Sequence, residues 1–496
     1  MQSPRTSRHA DSSRPKTIPA LQEWNSSNGT YEFTSDSRVV RNVNDAIALA
    51  ATSRTCAADL SAMTGHSVAE VAGTEDSLRP GDIFLSLGSD DMELGAEGYE
   101  LSVDGTMRVT AHEDRGAFYG TRTILQLIRQ SLLVPCGSAR DWPLKPERGL
   151  MVDVGRKYFT VDWLRRHIKE IAYLKMNMLH LHLSDNQGFR IESSSHPEVV
   201  DAPYLTKSEV SGLIALAEEY KITIVPEIEM PGHMAAILEH HEDLQLRVNS
   251  GDPDPRPGDI NYGLIDLSKE GSYTLMDELL DEYLDLFPGP YWHLGADEYA
   301  AARGNEYPQL LEYARSLFGP NAVAKDAYLG FINRANARVR AAGKTTRAWN
   351  DGIGGGNAVT VDSDVALEYW TNDTRYTAQE LVDLGHLVSN ESWDPTYYVL
   401  QQHSVVRPDV RWGYEEWQPD LFAKNDVLDP ASAEKNLGSK IHIWCDFDTR
   451  NEEQIAADIE NPLRMLSQQV WGSPHLSPTW EGFTSIIEIV GHTPNR

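Results

Sequence analysis

Beyond residue 148 the chain repeats one pattern. A short apolar run ends in polar or aromatic residues, and apolar positions then recur at the i, i+3, i+4 spacing of an amphipathic helix. Strands are predicted over 149–154, 178–183, 222–228, 291–294, 345–349, 366–370, 386–388 and 440–444. Helices are predicted over 161–173, 207–221, 272–286, 324–342, 378–384 and 452–468. Eight such strands, most of them followed by a helix, predict a (β/α)8 barrel rather than an open sheet.

The pattern before residue 145 is different. Residues 83–87, 99–103 and 107–111 alternate as strands, and Asp104-Gly105 supplies a hairpin turn between the last two. The run from Gly116 to Ile128 carries apolar residues at helical spacing. A small α/β domain, a sheet with helices on one face, is therefore expected over 17–144, and the catalytic barrel over 145–496. The stretch from Pro135 to Pro146 reads as the linker between them. Residues 1–16 are polar and aperiodic and predict a disordered tail.

One property separates the barrel strands from ordinary core strands. Polar or aromatic residues stand at most of their exits: Asp153 and Arg156; His180, His182 and Asp185; Glu227 and Glu229; Asp297 and Glu298; Trp349 and Asp351; Tyr369 and Trp370; Trp444 and Asp446. Apolar packing does not call for charge at so many exits, whereas a barrel builds its active site there. Asp297 and Glu298 follow the short run 291–294 directly. Alternation along a strand would give the two acids separate environments, as is needed when one must stay protonated and the other ionised. An isolated Asp-Glu pair is more often a solvated turn or helix start; here the aromatic lead-in and the other exits set it apart.

Composition narrows the partners. With 44 basic against 74 acidic residues the net charge is −30, which disfavours nucleic acid, anionic membranes and anionic substrates but leaves neutral sugars untouched. No apolar run reaches membrane-spanning length. Cys56, Cys136 and Cys445 are too few and too far apart for a disulfide framework or a metal motif, and no cofactor is expected. Met1 to Lys16 lacks an apolar core, so no secretory signal is visible; the expectation is a cytoplasmic protein or a secreted one without its leader.

Two chemistries compete for the exits. His180-Leu-His182, with His233, His293 and Asp297, can be read as an amidohydrolase-type metal site. That reading leaves the aromatic residues unexplained. Trp349, Trp370 and Trp444 would each be core residues if taken singly, but together at one mouth they suit the C–H faces of a pyranose. Arg156 and Asp185 can clamp vicinal hydroxyls by charge-assisted hydrogen bonds, or be an ordinary ion pair. Pro231-Gly232-His233 reads as a tight turn carrying an imidazole.

Four motifs then point to one family. Arg148-Gly-Leu-Met-Val-Asp-Val-Gly-Arg156, Leu181-His-Leu-Ser-Asp-Asn-Gln-Gly-Phe-Arg190, Pro226-Glu-Ile-Glu-Met-Pro-Gly-His233 and His293-Leu-Gly-Ala-Asp-Glu298 resemble, in order and spacing, glycoside hydrolase family 20. That family holds β-N-acetylhexosaminidases and lacto-N-biosidases. The helix that starts at Gly116 resembles the signature of its small preceding domain. The resemblance implies retaining hydrolysis in which the substrate's 2-acetamido oxygen attacks the anomeric carbon, a known exception to the two-carboxylate scheme. It implies that Glu298 is the acid/base and that Asp297 orients the acetamide and stabilises the oxazolinium-type intermediate. It further implies an aromatic box of Trp349, Trp370 and Trp444, with Tyr398 as donor to the acetamide carbonyl and Tyr397 beside it. Arg156, Asp185 and Asp446 would bind hydroxyls at the non-reducing end, with His233 in support.

Two departures bear on substrate. The family's usual Trp-x-Glu is Trp444-Cys-Asp446 here, one methylene shorter, and the segment from Asn390 to Tyr398 is longer than usual. Both features, with Gly155-Arg-Lys-Tyr158, are similar to lacto-N-biosidases, which release a disaccharide. The expectation is an exo-β-N-acetylhexosaminidase acting on terminal GlcNAc or GalNAc of a glycan. Lacto-N-biosidase and a non-catalytic amino-sugar-binding protein are the alternatives.

Overall fold

The computed structural model describes residues 14–494, apart from 249–254, 258, 260, 261, 300–306, 373, 374, 424 and 425. Most of the tail expected to be disordered lies outside the described residues. Arg14 and Lys16, at its end, are already held by hydrogen bonds with Gln22 and Gln130.

The first sheet contains β1 (Glu23–Glu32), β2 (Arg38–Asn42), β3 (Ala69–Gly73), β4 (Ile83–Leu87), β5 (Tyr99–Val103), β6 (Met107–Ala111) and β7 (Leu133–Asp141), ordered β1-β7-β5-β6-β4-β2-β3. Alternation sets its two faces. Tyr99, Leu101, Val103, Met107, Val109 and Ala111 are buried, while Glu100, Ser102, Arg108 and Thr110 are half-exposed between them. Helices α1 (Ala50–Thr64) and α2 (Asp114–Gln130) cover the apolar face. Gly120 lets α2 approach closely, since a Cβ there would overlap Val109. The linker expected from Pro135 is overturned as far as Asp141, because β7 pairs with both β1 and β5. Pro135 is tolerated since it faces Thr30, where β1 shifts register, and lies outside the part of β7 that pairs with β5.

The second sheet curls into the barrel. Its elements are β8 (Glu147–Asp153), α3 (Val161–Tyr173), β9 (Met178–His182), α4 (Lys207–Glu219), β10 (Thr223–Glu227), α5 (Glu270–Leu284), β11 (Tyr291–His293), α6 (Pro308–Phe318), α7 (Ala324–Ala341), β12 (Thr345–Trp349), β13 (Ala366–Tyr369), α8 (Ala378–Asp383), β14 (Val388–Asn390), β15 (Tyr397–Leu400), β16 (Gly438–Trp444), α9 (Glu452–Trp471) and α10 (Trp480–Val490). Strands β8 to β14 are parallel neighbours in chain order, and β16 lies on the other side of β8. The barrel closes where Leu437 donates its N–H to the Val388 carbonyl at 2.7 Å.

The seventh strand departs from expectation. It begins at Val388 rather than His386, breaks at Trp393–Thr396, and resumes as β15 beside the upper end of β16, with Tyr397 opposite His442. Helices α6 and α10 were not predicted either. The barrel interior is charged rather than apolar. Arg347 meets Glu368 at 2.7 Å and Glu147 at 2.9 Å, and Lys440 meets Glu391 at 2.6 Å and Glu368 at 3.0 Å. Apolar alternates such as Ile441 and Ile443 face outward to the helices, which leaves Lys440 and His442 pointing inward.

Candidate active site

Glu227 sits at the centre of the barrel mouth. Register places it level with His182 on one neighbouring strand and His293 on the other. Its carboxylate accepts from His182 Nδ1 at 2.6 Å and from Trp349 Nε1 at 2.9 Å, with His180 Nε2 and His293 Nδ1 each at 2.9 Å. His182 gives its other N–H to Asp185 at 2.9 Å. Burial alone would lower His182, but Glu227 and Asp185 carry it up to about 10, so it is an imidazolium holding two carboxylates. Burial pushes His180 down to about 4 and keeps it neutral.

The two acids are not on a strand. β11 ends at His293, which overturns the expected alternation. Left-handed backbone replaces it: φ is 70° at Gly295, 66° at Ala296 and 49° at Glu298. This conformation turns both carboxyls to one mouth, and positive φ at non-glycine residues is tolerated where the surroundings over-determine it. Glycine is required at 295, since a Cβ would overlap the Glu229 carboxyl. Asp351 accepts the Glu298 N–H at 2.9 Å and the Trp370 indole N–H at 3.3 Å, which joins the acid loop to the aromatic wall.

His233, itself at φ 53°, bridges the acids. Its Nε2 lies 3.5 Å from Asp297 and 3.4 Å from Glu298, and its Nδ1 lies 3.4 Å from Asp185. Burial would lower His233, but Asp297 and Asp185 raise it well above the ordinary histidine value. Burial, reinforced by Asp351 and Glu298, pushes Asp297 up to about 6, with His233 opposing. Glu298 is held below the usual glutamate range, first by its hydrogen bond with His233. This order is the reverse of the expected one, which placed the raised acid at Glu298. The physical reasons are the burial of Asp297, whose side chain is only 16% exposed, and the His233 hydrogen bond to Glu298, whose side chain is 57% exposed.

A cavity of about 150 Å³ is lined by Arg156, His233, Asp297, Glu298, Trp349, Trp370, Trp393, Tyr397, Val399, Trp444 and Asp446. The indoles of Trp349 and Trp444 stand 5.8 Å apart, and Tyr397 stacks on Trp370 at 6.4 Å and lies 6.0 Å from Trp444. Eight of the residues expected at the site are therefore brought together; two are not. Tyr398 is corrected to Tyr397. Alternation on β15 sends Tyr398 the other way, where its hydroxyl donates to Asp458 at 2.8 Å. Burial, then Glu391, raises Tyr397 well above the ordinary tyrosine value, so it stays a neutral donor. Asp185 does not line the cavity. It is buried behind Arg156, which it pairs at 2.8 Å, and it also meets His182 and His233. Asp153 holds the same guanidinium at 3.0 Å. The sequence reading missed Trp393, Val399 and the supporting roles of Glu227, Glu229 and Asp351. Alternation couples Tyr397 with Val399, but only a known inward residue fixes the phase.

This geometry makes a paired prediction. Tyr397→Phe is expected to lower kcat/KM by about 10- to 100-fold through loss of one buried hydrogen bond to a charge-bearing substrate group. Tyr398→Phe is expected to leave it within about twofold. Steady-state kinetics on one aryl glycoside tests both, and equal losses would refute the assignment.

Comparison with known proteins agrees with the motifs. The description "Glycosyl hydrolase family 20, catalytic domain" matches residues 146–471, and "Glycosyl hydrolase family 20, domain 2" matches residues 14–142. The chain belongs to glycosyl hydrolase family 20. It is 31% identical over 487 residues to a lacto-N-biosidase of Bifidobacterium bifidum, covering 97% of this chain and 42% of that protein. It is 27% identical over 466 residues to a β-N-acetylhexosaminidase of Cellulomonas fimi, covering 88% and 86%. The family 20 β-N-acetylhexosaminidase from Streptomyces coelicolor superposes with a TM-score of 0.76 at 23% identity, over 96% of each chain. The chain thus spans less than half the length of the Bifidobacterium relative.

In this family 20 chain three histidines of the amidohydrolase reading, His180, His182 and His293, gather on Glu227, and His233 stands apart from them with the two acids. His180 and His293 group with Glu227, His182 with Glu227 and Glu229, and His233 with Asp297 and Glu298. Glu229 is buried against Asp297, and burial, then the charge of Asp297, raises it well above the ordinary glutamate value. It stands as a neutral acid beside the Asp297 carboxyl.

Proposed function

We propose that this family 20 glycoside hydrolase is a retaining, exo-acting β-N-acetylhexosaminidase that removes terminal β-linked GlcNAc or GalNAc from a glycan. The observation that carries the reading is the convergence of Asp297 and Glu298 with Trp349, Trp370, Trp444 and Tyr397 on one cavity. The indoles and Tyr397 enclose the acetamide, and Tyr397 donates to its carbonyl oxygen. Asp297 accepts the acetamide N–H and stabilises the positive ring as that oxygen attacks the anomeric carbon. Nucleophile and electrophile are then parts of one molecule, a gain of roughly 7–11 kcal/mol when well aligned. Glu298 protonates the departing oxygen and later takes a proton from water. A sugar covering the exposed Glu298 strips it of water and raises its pKa toward what an acid needs.

A second reading is release of a disaccharide, in line with the similarity to the lacto-N-biosidase of Bifidobacterium bifidum. Two observations favour it. The Asp446 side chain is 46% exposed and stops 3.9 Å from Arg156, and Trp393 stands 42% exposed at the cavity rim. A short acid and an open aromatic ledge leave room for a second sugar at the non-reducing end. Product analysis on aryl β-GlcNAc, aryl β-GalNAc and aryl lacto-N-bioside separates the two. Asp446→Glu is expected to shift the monosaccharide-to-disaccharide preference by about 10- to 200-fold toward the monosaccharide, the range for one methylene in a pocket. No release from any of the three substrates would refute both readings.

A further inference from the structure

A second cluster on the flank of α5 joins two of the barrel's loops. His196 and Glu198 lie in the segment after β9, and His241 lies in the segment after β10 that also carries His233. Glu198 Oε1 is 3.0 Å from His196 Nδ1 and 3.1 Å from His241 Nε2. The two imidazoles meet edge to face with centroids 5.6 Å apart. One ligand atom from each of these residues lies within 4.8 Å of the others.

The far side of His196 decides what the cluster can do. Its Nε2 meets Glu278 Oε2, on α5, at 3.0 Å. With the Nε2 proton given to Glu278, a neutral His196 turns the bare lone pair of Nδ1 toward the Glu198 carboxylate, acceptor against acceptor. Either a second proton on the ring or a cation between the groups relieves that conflict. A histidine that binds a metal almost always gives its other N–H to a carboxylate, which fixes the ring and raises its basicity. The His196–Glu278 pair has that form. The backbone around it is also held: His196 N–H donates to Ser193 Oγ at 2.9 Å, and Ser193 Oγ donates to Glu282 of α5 at 2.7 Å. The His196 side chain is 11% exposed while Glu198 and Glu278 are open to solvent, so an ion has a path in.

We propose that His196, Glu198 and His241 bind a divalent transition-metal ion of the zinc class, with Glu278 as the outer support of His196. Two imidazoles and one carboxylate favour zinc, cobalt or nickel over calcium or magnesium, which take oxygen ligands. The ion ties the loop after β9 to the loop after β10, and so braces the segment that presents His233 to the acids. The inference does not depend on which sugar is released.

The test is titration of the untagged, metal-stripped chain with Co²⁺, followed by its visible absorption, then displacement by Zn²⁺. One saturable ion per chain is expected, lost in His196→Ala and in His241→Ala. Glu278→Gln is expected to weaken affinity about 10- to 100-fold, the usual effect of removing an outer carboxylate. A plain hydrogen-bonded cluster would not produce that dependence. Turnover of the aryl substrate by metal-free His196→Ala should equal that of the metal-free parent. Absence of saturable binding to the unsubstituted chain at millimolar metal overturns the proposal without any variant. Binding abolished by Glu298→Gln but unmoved by His196→Ala also overturns it, since the ion would then sit at the barrel mouth.

Discussion

Glu298→Gln is expected to lower kcat on a glycan or alkyl glycoside by about 10²–10⁴-fold, the usual worth of a positioned general acid. The loss should be smaller on a nitrophenyl glycoside, whose leaving group needs little protonation. Binding of the amino sugar should persist, because glutamine keeps the shape of the side chain and the aromatic wall is untouched. Folding should persist as well: the side chain is 57% exposed, and glutamine keeps its length and an oxygen that can accept from His233. Kinetics with two leaving groups and a binding titration check all of this. Turnover equal to that of the parent on both substrates would remove Glu298 from the mechanism. A parent that binds sugar but never hydrolyses it would leave only the sugar-binding alternative.

Asp297→Asn is expected to cost about 10²–10³-fold in kcat/KM, the scale of losing one electrostatic stabiliser at a reacting centre. It should also change the pH profile in a defined direction. In the proposed mechanism the reacting pair carries one proton, on Glu298 with Asp297 ionised, although the resting site favours that proton on Asp297. Glu298 is held below the usual glutamate range and Asp297 is raised to about 6, so the apparent values belong to the pair. The parent's kcat/KM should therefore fall as pH rises above about 6, when the pair loses its last proton. In Asp297→Asn that limb depends on Glu298 alone. His233 holds Glu298 down and the neighbouring negative charge is gone, so the limb should move to lower pH. Profiles of kcat/KM for parent and variant decide the matter. A limb that stays in place would mean that another group, not this pair, sets it.

Much of the architecture was legible because each level of the pattern repeats. The barrel strands appear near where their apolar runs were read, and α3 spans Val161–Tyr173 as its periodicity required. Asp297, Glu298, Arg156, Trp349, Trp370, Trp444 and Asp446 were found because they stand at strand exits, and His233 because it ends a Pro-Gly turn within a family motif; all of them line one cavity. The linker failed because a proline in a strand reads as a break, although Pro135 occupies a place where β7 lacks one of its partners.

The chain alone determined which residues stand at the exits and that their motifs belong together in order. Only the tertiary structure decided which of them reach the cavity and with what charge. Tyr397 and Tyr398 differ by one residue, and the phase of β15 against β16 chose between them. Asp185 looked like a sugar ligand, yet His182 and Arg156 enclose it. The acids' proton order follows from burial and from His233, which lies far from them in sequence. Periodicity is local and can be read along a chain; phase, burial and partner charge arise from contacts between distant segments.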